Sequence, residues 1–206
     1  MNLHRPRLAV LGLTLSLTSG LVACSDEVSS DEQARVAYLG LDGAVEKSLT
    51  LGFAGFNAAS SANIPEQAAA GDLAGTLTIT GQVDQGASTN KGMRLRVGMV
   101  DYTDGDVTLP EGTEQVEITY DTVTDVTQQP ELTLSLRDIP DGTFTGTLVG
   151  TFQMEGALEG DVTLNLTMAG AIEDDGTGKV RRKAGTTTVK GTAVSDGNTY
   201  EVDVTL

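Results

Sequence analysis

From Leu73 to the C-terminus the chain alternates apolar and polar residues with a period of two. The clearest stretch runs from Phe144 to Ile172, where every even position is apolar or glycine. The odd positions are mostly Thr, Gln, Glu, Asp and Asn, with Val149, Ala157, Ala169 and Ala171 as exceptions. Side chains of a strand point to opposite faces in turn, so this pattern predicts two long strands joined near Glu155–Glu159. The same reading applies to Leu77, Ile79 and Val83, to Met93, Leu95, Val97 and Met99, and to Val116, Ile118 and Tyr120. It continues through Leu132, Leu134 and Leu136 and ends with Tyr200, Val202, Val204 and Leu206.

About eight strands are predicted, near residues 73–83, 92–102, 114–124, 131–138, 143–155, 160–172, 180–194 and 198–206. Asp141-Gly142, Asp175-Gly176 and Asp196-Gly197 are hairpin-type turns between them. Short connections and no second helical pattern give an all-β domain, an antiparallel meander. Eight long strands with one apolar face must hide it, and curling into a barrel or half-barrel does so. A β-sandwich is the alternative. Gly146, Gly150, Gly156, Gly160 and Gly170 fall on the inward face, where they permit curvature or leave a hollow for a helix face or an apolar ligand.

Period two is also the signature of a transmembrane barrel, with the faces exchanged. Four Tyr and four Phe are too few for two aromatic girdles, and the chain ends Val204-Thr205-Leu206 without a terminal aromatic. The soluble arrangement is therefore expected.

Ahead of the strands, Val45, Leu49, Phe53 and Phe56 recur at helical spacing, with Glu46 and Lys47 turned away. They predict a helix within residues 33–63, although Gly43, Gly52 and Gly55 each cost about 1 kcal/mol against Ala in a helix interior. Ala58 to Gly71, with Pro65, is expected to be a linker.

The N-terminus adds a second theme. Arg5 and Arg7 precede an apolar run, Leu8 to Leu21, that is too short and interrupted for a membrane span of roughly 20 residues. It closes on Leu21-Val22-Ala23-Cys24. These residues resemble the leader and lipobox of bacterial lipoproteins, whose leader is removed and whose new N-terminal cysteine is acylated with palmitate and related chains. The resemblance covers Met1 to Cys24 and implies lipidation at Cys24 and anchoring to the membrane of a bacterial cell envelope. Ser25, rather than Asp, after the cysteine resembles the signal for the outer membrane. The expected layout is a signal peptide over 1–23, the lipidated cysteine and an acidic tether over 24–42, an amphipathic helix and linker over 43–71, and a β-domain over 72–206.

Composition narrows the chemistry. Without the leader, which carries two of the 13 basic residues, 29 acids face 11 bases. So acidic a chain is repelled by phosphate backbones, and no nucleic-acid partner is expected. The single histidine, His4, lies in the leader, and the single cysteine is Cys24. Residues 25–206 thus offer no imidazole or thiol, which excludes Ser-His-Asp and Cys-His nucleophilic sites and His-ligated metals. An enzyme is not expected, nor any cofactor.

Three local features have candidate roles. The acidic loop over 101–111, Asp101-Tyr102-Thr103-Asp104-Gly105-Asp106 with Glu111, could hold calcium but lacks EF-hand spacing, and an Asp/Gly turn is the commoner use. Glu173 to Lys179 ends in Gly-Lys without the phosphate-loop pattern and reads as a hairpin tip. Finally, Lys91, Arg94, Arg96, Lys179, Arg181, Arg182, Lys183 and Lys190 crowd into two segments. Arg94, Arg96, Arg181, Arg182 and Lys183 could make a patch for an anionic glycan, lipid headgroup or protein, although cross-strand pairing with the many acids is the commoner fate. Two functions remain: a non-enzymatic envelope lipoprotein holding an apolar or lipid ligand in its β-barrel, or a structural or adhesive module that binds an envelope protein or polymer through its Thr-rich outer face.

Overall fold

A computed structural model describes residues 27–108 and 115–206. The leader, Cys24 and Glu111 lie outside the described residues. One helix, α1 (Asp31–Ala58), comes first. The strands follow as β1 (Asn63–Ala70), β2 (Ala74–Val83), β3 (Lys91–Thr103), β4 (Val107–Thr108), β5 (Gln115–Val116) and β6 (Ile118–Asp121). After these come β7 (Glu131–Arg137), β8 (Thr143–Gly156), β9 (Gly160–Asp174), β10 (Val180–Arg182), β11 (Thr188–Ser195) and β12 (Asn198–Thr205).

The fold is all-β with one helix. Its main sheet is antiparallel and runs from β1 through β2 and β3 to β8, β9, β11 and β12. Between β3 and β8 a single lane is shared end to end by β7 and β6, which pair with different halves of both neighbours. Beyond β9 a lane is likewise shared by β10 and β11. The segments 114–124 and 131–138, expected as successive strands, therefore occupy one lane, and the expected strand 180–194 is broken at 183–187. β8 and β9 form the predicted long hairpin, in register from Thr143 opposite Ala171 to Met154 opposite Gly160. Along β9 the alternation is realised directly, with Val162, Leu164 and Leu166 buried and Asp161, Thr163 and Asn165 exposed.

β1 and β12 do not pair with each other, so the sheet is an open, curled half-barrel. Helix α1 lies in its concave side and touches both edge strands. Two of its side chains reach edge backbone, Asp31 accepting from Glu201 N of β12 at 2.8 Å and Lys47 donating to Ala70 O of β1 at 3.3 Å. The helix begins earlier than the 43–71 layout predicts, so much of the expected 24–42 tether is helical. The local reason is a cap: Gln33 N donates to Ser30 Oγ at 3.2 Å, and Gln33 Oε1 accepts from Ser29 N at 2.8 Å. Asp31 and Glu32 add favourable charge in the first turn. The expected linker is also corrected, since Asn63–Ala70 is edge strand β1. Pro65 and three small alanines blur its alternation. An edge position tolerates a proline that donates nothing, and the register slips between Ile64 and Gln67.

Glycines let the helix sit deep. A methyl group at Gly40 would collide with the Tyr120 hydroxyl, and one at Gly43 with the Asp104 carboxylate. At Gly52 it would lie 2.7 Å from Met93 Sδ, and at Gly55 2.8 Å from Ile64 Cδ1. The side chains that remain fill the interior. The gap between Leu41, Val45 and Ser48 of α1 and Val97, Leu148 and Phe152 of the sheet amounts to about 10 Å³, the space of roughly one water. Inward Gly146 is covered by Leu134 and Met168, and Gly170 by Phe144. The inward glycines therefore open no ligand-sized hollow at these positions. Gly156 and Gly160, at φ +113° and +85°, turn the chain between β8 and β9.

Gly40→Ala tests the close approach. Helix propensity alone would raise stability by about 1 kcal/mol, whereas overpacking against buried Tyr120 costs about 1–3 kcal/mol. The expected result is a net loss of stability in denaturant unfolding.

Candidate functional site

Two polar clusters lock α1 to the sheet. In the first, Arg182 of β10 donates from Nη1 and Nη2 to Asp42 Oδ1 and Oδ2 at 2.7 and 2.8 Å, and from Nε to Glu46 Oε2 at 2.7 Å. The Tyr38 hydroxyl donates to Asp42 Oδ1 at 2.7 Å. Burial alone would lower the Arg182 pKa, but Asp42 and Glu46 outweigh it and hold the guanidinium well above its ordinary value. Burial and then Asp42 push the Tyr38 phenol up.

In the second cluster Lys47 pairs with Asp72 at 2.8 Å and with Asp104, and its Nζ lies 5.4 Å from the Tyr102 ring centroid. The Tyr102 hydroxyl donates to Asp104 Oδ2 at 2.6 Å, and Asp72 N donates to Asp104 Oδ1 at 2.9 Å. Burial raises the Asp104 pKa, but the hydrogen bonds from Lys47 and Tyr102 prevail and hold the carboxyl below its usual value. Burial likewise opposes the charge of Lys47, yet Asp104 and Asp72 raise its pKa. The acidic loop read as a calcium candidate is thus built around an internal ion pair through Asp104. In both clusters the charged groups pair with one another across the helix–sheet contact.

The five residues of the candidate cationic patch are not gathered into one. Arg94 and Arg96 sit on β3, Arg181 and Arg182 on β10, with the lanes of β7, β8 and β9 between. Arg94 pairs with Asp84 at 2.9 Å, Arg96 with Glu131 at 3.0 Å, and Arg181 with Glu173 at 2.8 Å. Lys183 is exposed and, among the described residues, makes no ion pair.

The convex face of β7, β8, β9 and β11 carries a feature that alternation alone does not reveal. Cross-strand pairing aligns Ser135, Thr145, Ala169 and Thr188 in one row, and Thr133, Thr147, Thr167 and Lys190 in the next. Together these rows line an open trough of about 470 Å³. Thr167 and Thr188 donate across to Lys190 O and Ala169 O at 3.0 and 3.4 Å. The hydroxyls of Ser135, Thr145 and Thr147 have no partner among the described residues. Sequence reading found the threonines. It could not place them side by side, because that depends on strand register.

A second depression lies at the C-terminal end of α1. Phe53 and Phe56, Ile139 of the β7–β8 loop and Val180 line a space of about 380 Å³, with Lys179 among its lining residues. Lys91 Nζ stacks 4.4 Å from the Phe56 ring centroid.

No protein-family model, curated protein or solved structure matches the chain.

Arg182→Met leaves Asp42 and Glu46 facing one another without a cation. Both are partly exposed, so a loss of about 2 kcal/mol is expected in chemical unfolding, less than the 3–5 kcal/mol of a fully buried pair. The pH dependence of the second cluster follows from its pKa shifts. Asp104, depressed in the fold, contributes stability that is full above the unfolded value near 3.9 and is lost as pH falls through the folded value. Lys47, raised in the fold, contributes below the unfolded value near 10.4 and loses it as pH rises through the folded value. Unfolding of the Asp104→Asn variant is expected to show a shallower loss of stability than wild type on acidification below about pH 4.

Proposed function

We propose that this chain is a non-enzymatic lipoprotein of a bacterial cell envelope, anchored through acylated Cys24, that binds a polymer or protein partner on its Thr-rich convex face. The observation that carries the binding reading is a contrast of two spaces. The concave side is occupied by α1 with a gap of about 10 Å³, whereas the convex side holds an open trough of about 470 Å³. Small-molecule sites usually enclose about 300–1,000 Å³ and bury most of the ligand. An open trough of that size fits one stretch of a longer partner better than an enclosed small molecule. The absence of His and Cys from residues 25–206 supports a role without nucleophilic catalysis.

The lipobox supplies the anchor, and the helix gives the domain a polarity relative to it. Ser30, the cap of α1, follows Cys24 by six residues. Glu27 lies beside Gly160 of the β8–β9 turn, and Asp31 accepts from Glu201 N at 2.8 Å. That end of the half-barrel would face the membrane. The helix, 28 residues long, spans about 40 Å to the other end.

Two measurements in the native host test this. Cys24→Ser is expected to abolish incorporation of labelled palmitate and to release the protein from the membrane fraction; label retained in the variant would overturn the anchor. A photo-crosslinking residue at Thr147 is expected to trap an envelope component, while one at Thr78, on the outer face of β2, traps none. Silence at both positions would overturn the binding face.

A second reading rests on the depression of about 380 Å³ beside Phe53 and Phe56. It would hold an apolar ligand at the mouth of the half-barrel rather than inside it. A stoichiometric lipid mass in native mass spectrometry, lost in Phe53→Asp, would favour this reading.

A further inference from the structure

We propose that the occupant of the convex trough is an anionic polysaccharide, gripped by hydroxyl rows and clamped at one end by Arg137 and Lys183. The inference rests on the convex-face reading above and names its partner.

Charge distribution is the first argument. The chain carries 29 acids against 13 bases, yet the outward positions of β7 from Thr133 to Arg137, of β8 from Thr143 to Thr151, of β9 from Thr163 to Ala171, and of β11 contain no carboxylate. Two carboxylates border it, Glu131 accepting from Thr133 Oγ1 at 3.2 Å and Asp203 held by Lys190 at 2.7 Å, so a polyanion would meet reduced repulsion over the centre of the trough rather than at its flanks.

Position is the second. Arg137 pairs with Thr143, Thr143 with Ala171, and Lys183 N donates to Ala171 O at 2.9 Å. Arg137 and Lys183 therefore lie in one cross-strand row, immediately beyond the row Ser135–Thr145–Ala169–Thr188 that lines the trough. The two rows are about 7 Å apart along the strands. Both cations are exposed, and among the described residues neither makes an ion pair. By contrast Arg94, Arg96, Arg181, Arg182 and Lys190 are each held by a carboxylate. Of the acids around the row, Glu173 is held by Arg181 and Asp141 accepts from Asp174 N at 3.3 Å, while Asp138, next to Arg137 in the chain, makes no ion pair among the described residues.

Chemistry is the third. The trough offers the unpartnered hydroxyls of Ser135, Thr145 and Thr147 and contains no aromatic side chain. The lining lacks the aromatic anchors usual at protein interfaces, so a hydroxyl-rich chain would be held here by hydrogen bonds alone. Carboxylate or sulfate groups on such a chain would meet Arg137 and Lys183, with Arg favoring bidentate contact.

The test uses the full-length chain in a non-ionic detergent, with immobilised polygalacturonate as probe and neutral dextran as its uncharged counterpart, measured by biolayer interferometry over a salt series. Binding to polygalacturonate but not to dextran is expected. The double variant Arg137→Glu/Lys183→Glu should weaken it at least tenfold and flatten its salt dependence, because fewer counterions are exchanged. Lys179→Glu, a charge change on the β9–β10 tip outside the row, should alter it less than twofold at 0.15 M salt, where the Debye length is about 8 Å. No polygalacturonate binding, equal binding of dextran, or affinity unchanged in the double variant each overturns the proposal. If the crosslinker at Thr147 then traps a protein or a neutral glycan, the convex-face reading survives without the polyanion. If it traps nothing, both fall.

Discussion

The seating of α1 in the open sheet is the constraint on which the rest of this structure depends. Curled antiparallel strands that do not close leave two backbone edges and one apolar face to be covered. A single helix of 28 residues covers the apolar face here and packs against both edge strands, β1 and β12. It can do so only at short range. Gly40, Gly43, Gly52 and Gly55 remove the methyl groups that would hold it away from Tyr120, Asp104, Met93 and Ile64. Each glycine weakens the helix as an isolated element by about 1 kcal/mol, and contact with the sheet offsets that cost. Helical stability in this protein therefore resides in tertiary packing rather than in propensity.

The polar locks follow from the same geometry. Once the helix is deep, its flanking charged residues are caught between it and the sheet margins and must be paired. Asp42 and Glu46 meet Arg182 on one side, and Lys47 meets Asp72 and Asp104 on the other. The Tyr120 hydroxyl, buried beneath α1, donates to Ala37 O at 2.9 Å, and burial pushes its pKa up. These pairs are better understood as fixing the rotation and depth of the helix than as large stabilising terms, since desolvation cancels much of the Coulomb attraction.

Much of this was legible in the sequence, and the exceptions have physical causes. The β8–β9 hairpin followed from strict alternation because every other residue is buried along it, as Val162, Leu164 and Leu166 are. β1 was not legible, because Pro65 and three alanines erase the contrast between faces. The helical region read at 33–63 begins within two residues of α1, but the layout that starts the helix at 43 gave its first turns to the tether, because Ser30 through Gln33 reads as acidic coil unless the cap is recognised. The sharing of one lane by β6 and β7 is invisible to periodicity, which reports faces and not neighbours. The convex site lies between these cases. Thr145, Thr147 and Thr167 were evident as outward residues, but the trough exists only because register sets them side by side. The cationic residues show the converse. Arg182 looked like a surface charge by composition, and its neighbour in space, Asp42, is 140 positions away in sequence.

Filling the concave side with a helix also determines where recognition can occur. A half-barrel whose interior is occupied by its own chain binds an enclosed ligand there only by expelling that helix, which would expose the apolar face and break the Arg182 and Lys47 clusters together. The convex face has no such cost. Its threonines already present their backbone to the sheet, and their side chains can exchange water for a partner without moving the core. If Cys24 tethers the end where α1 begins, Arg137 and Lys183 stand at the opposite rim. A long polymer could then engage the outer wall without competing with the membrane for space. The same helix that makes the fold possible would thus keep the proposed anchor at one end apart from the proposed binding face.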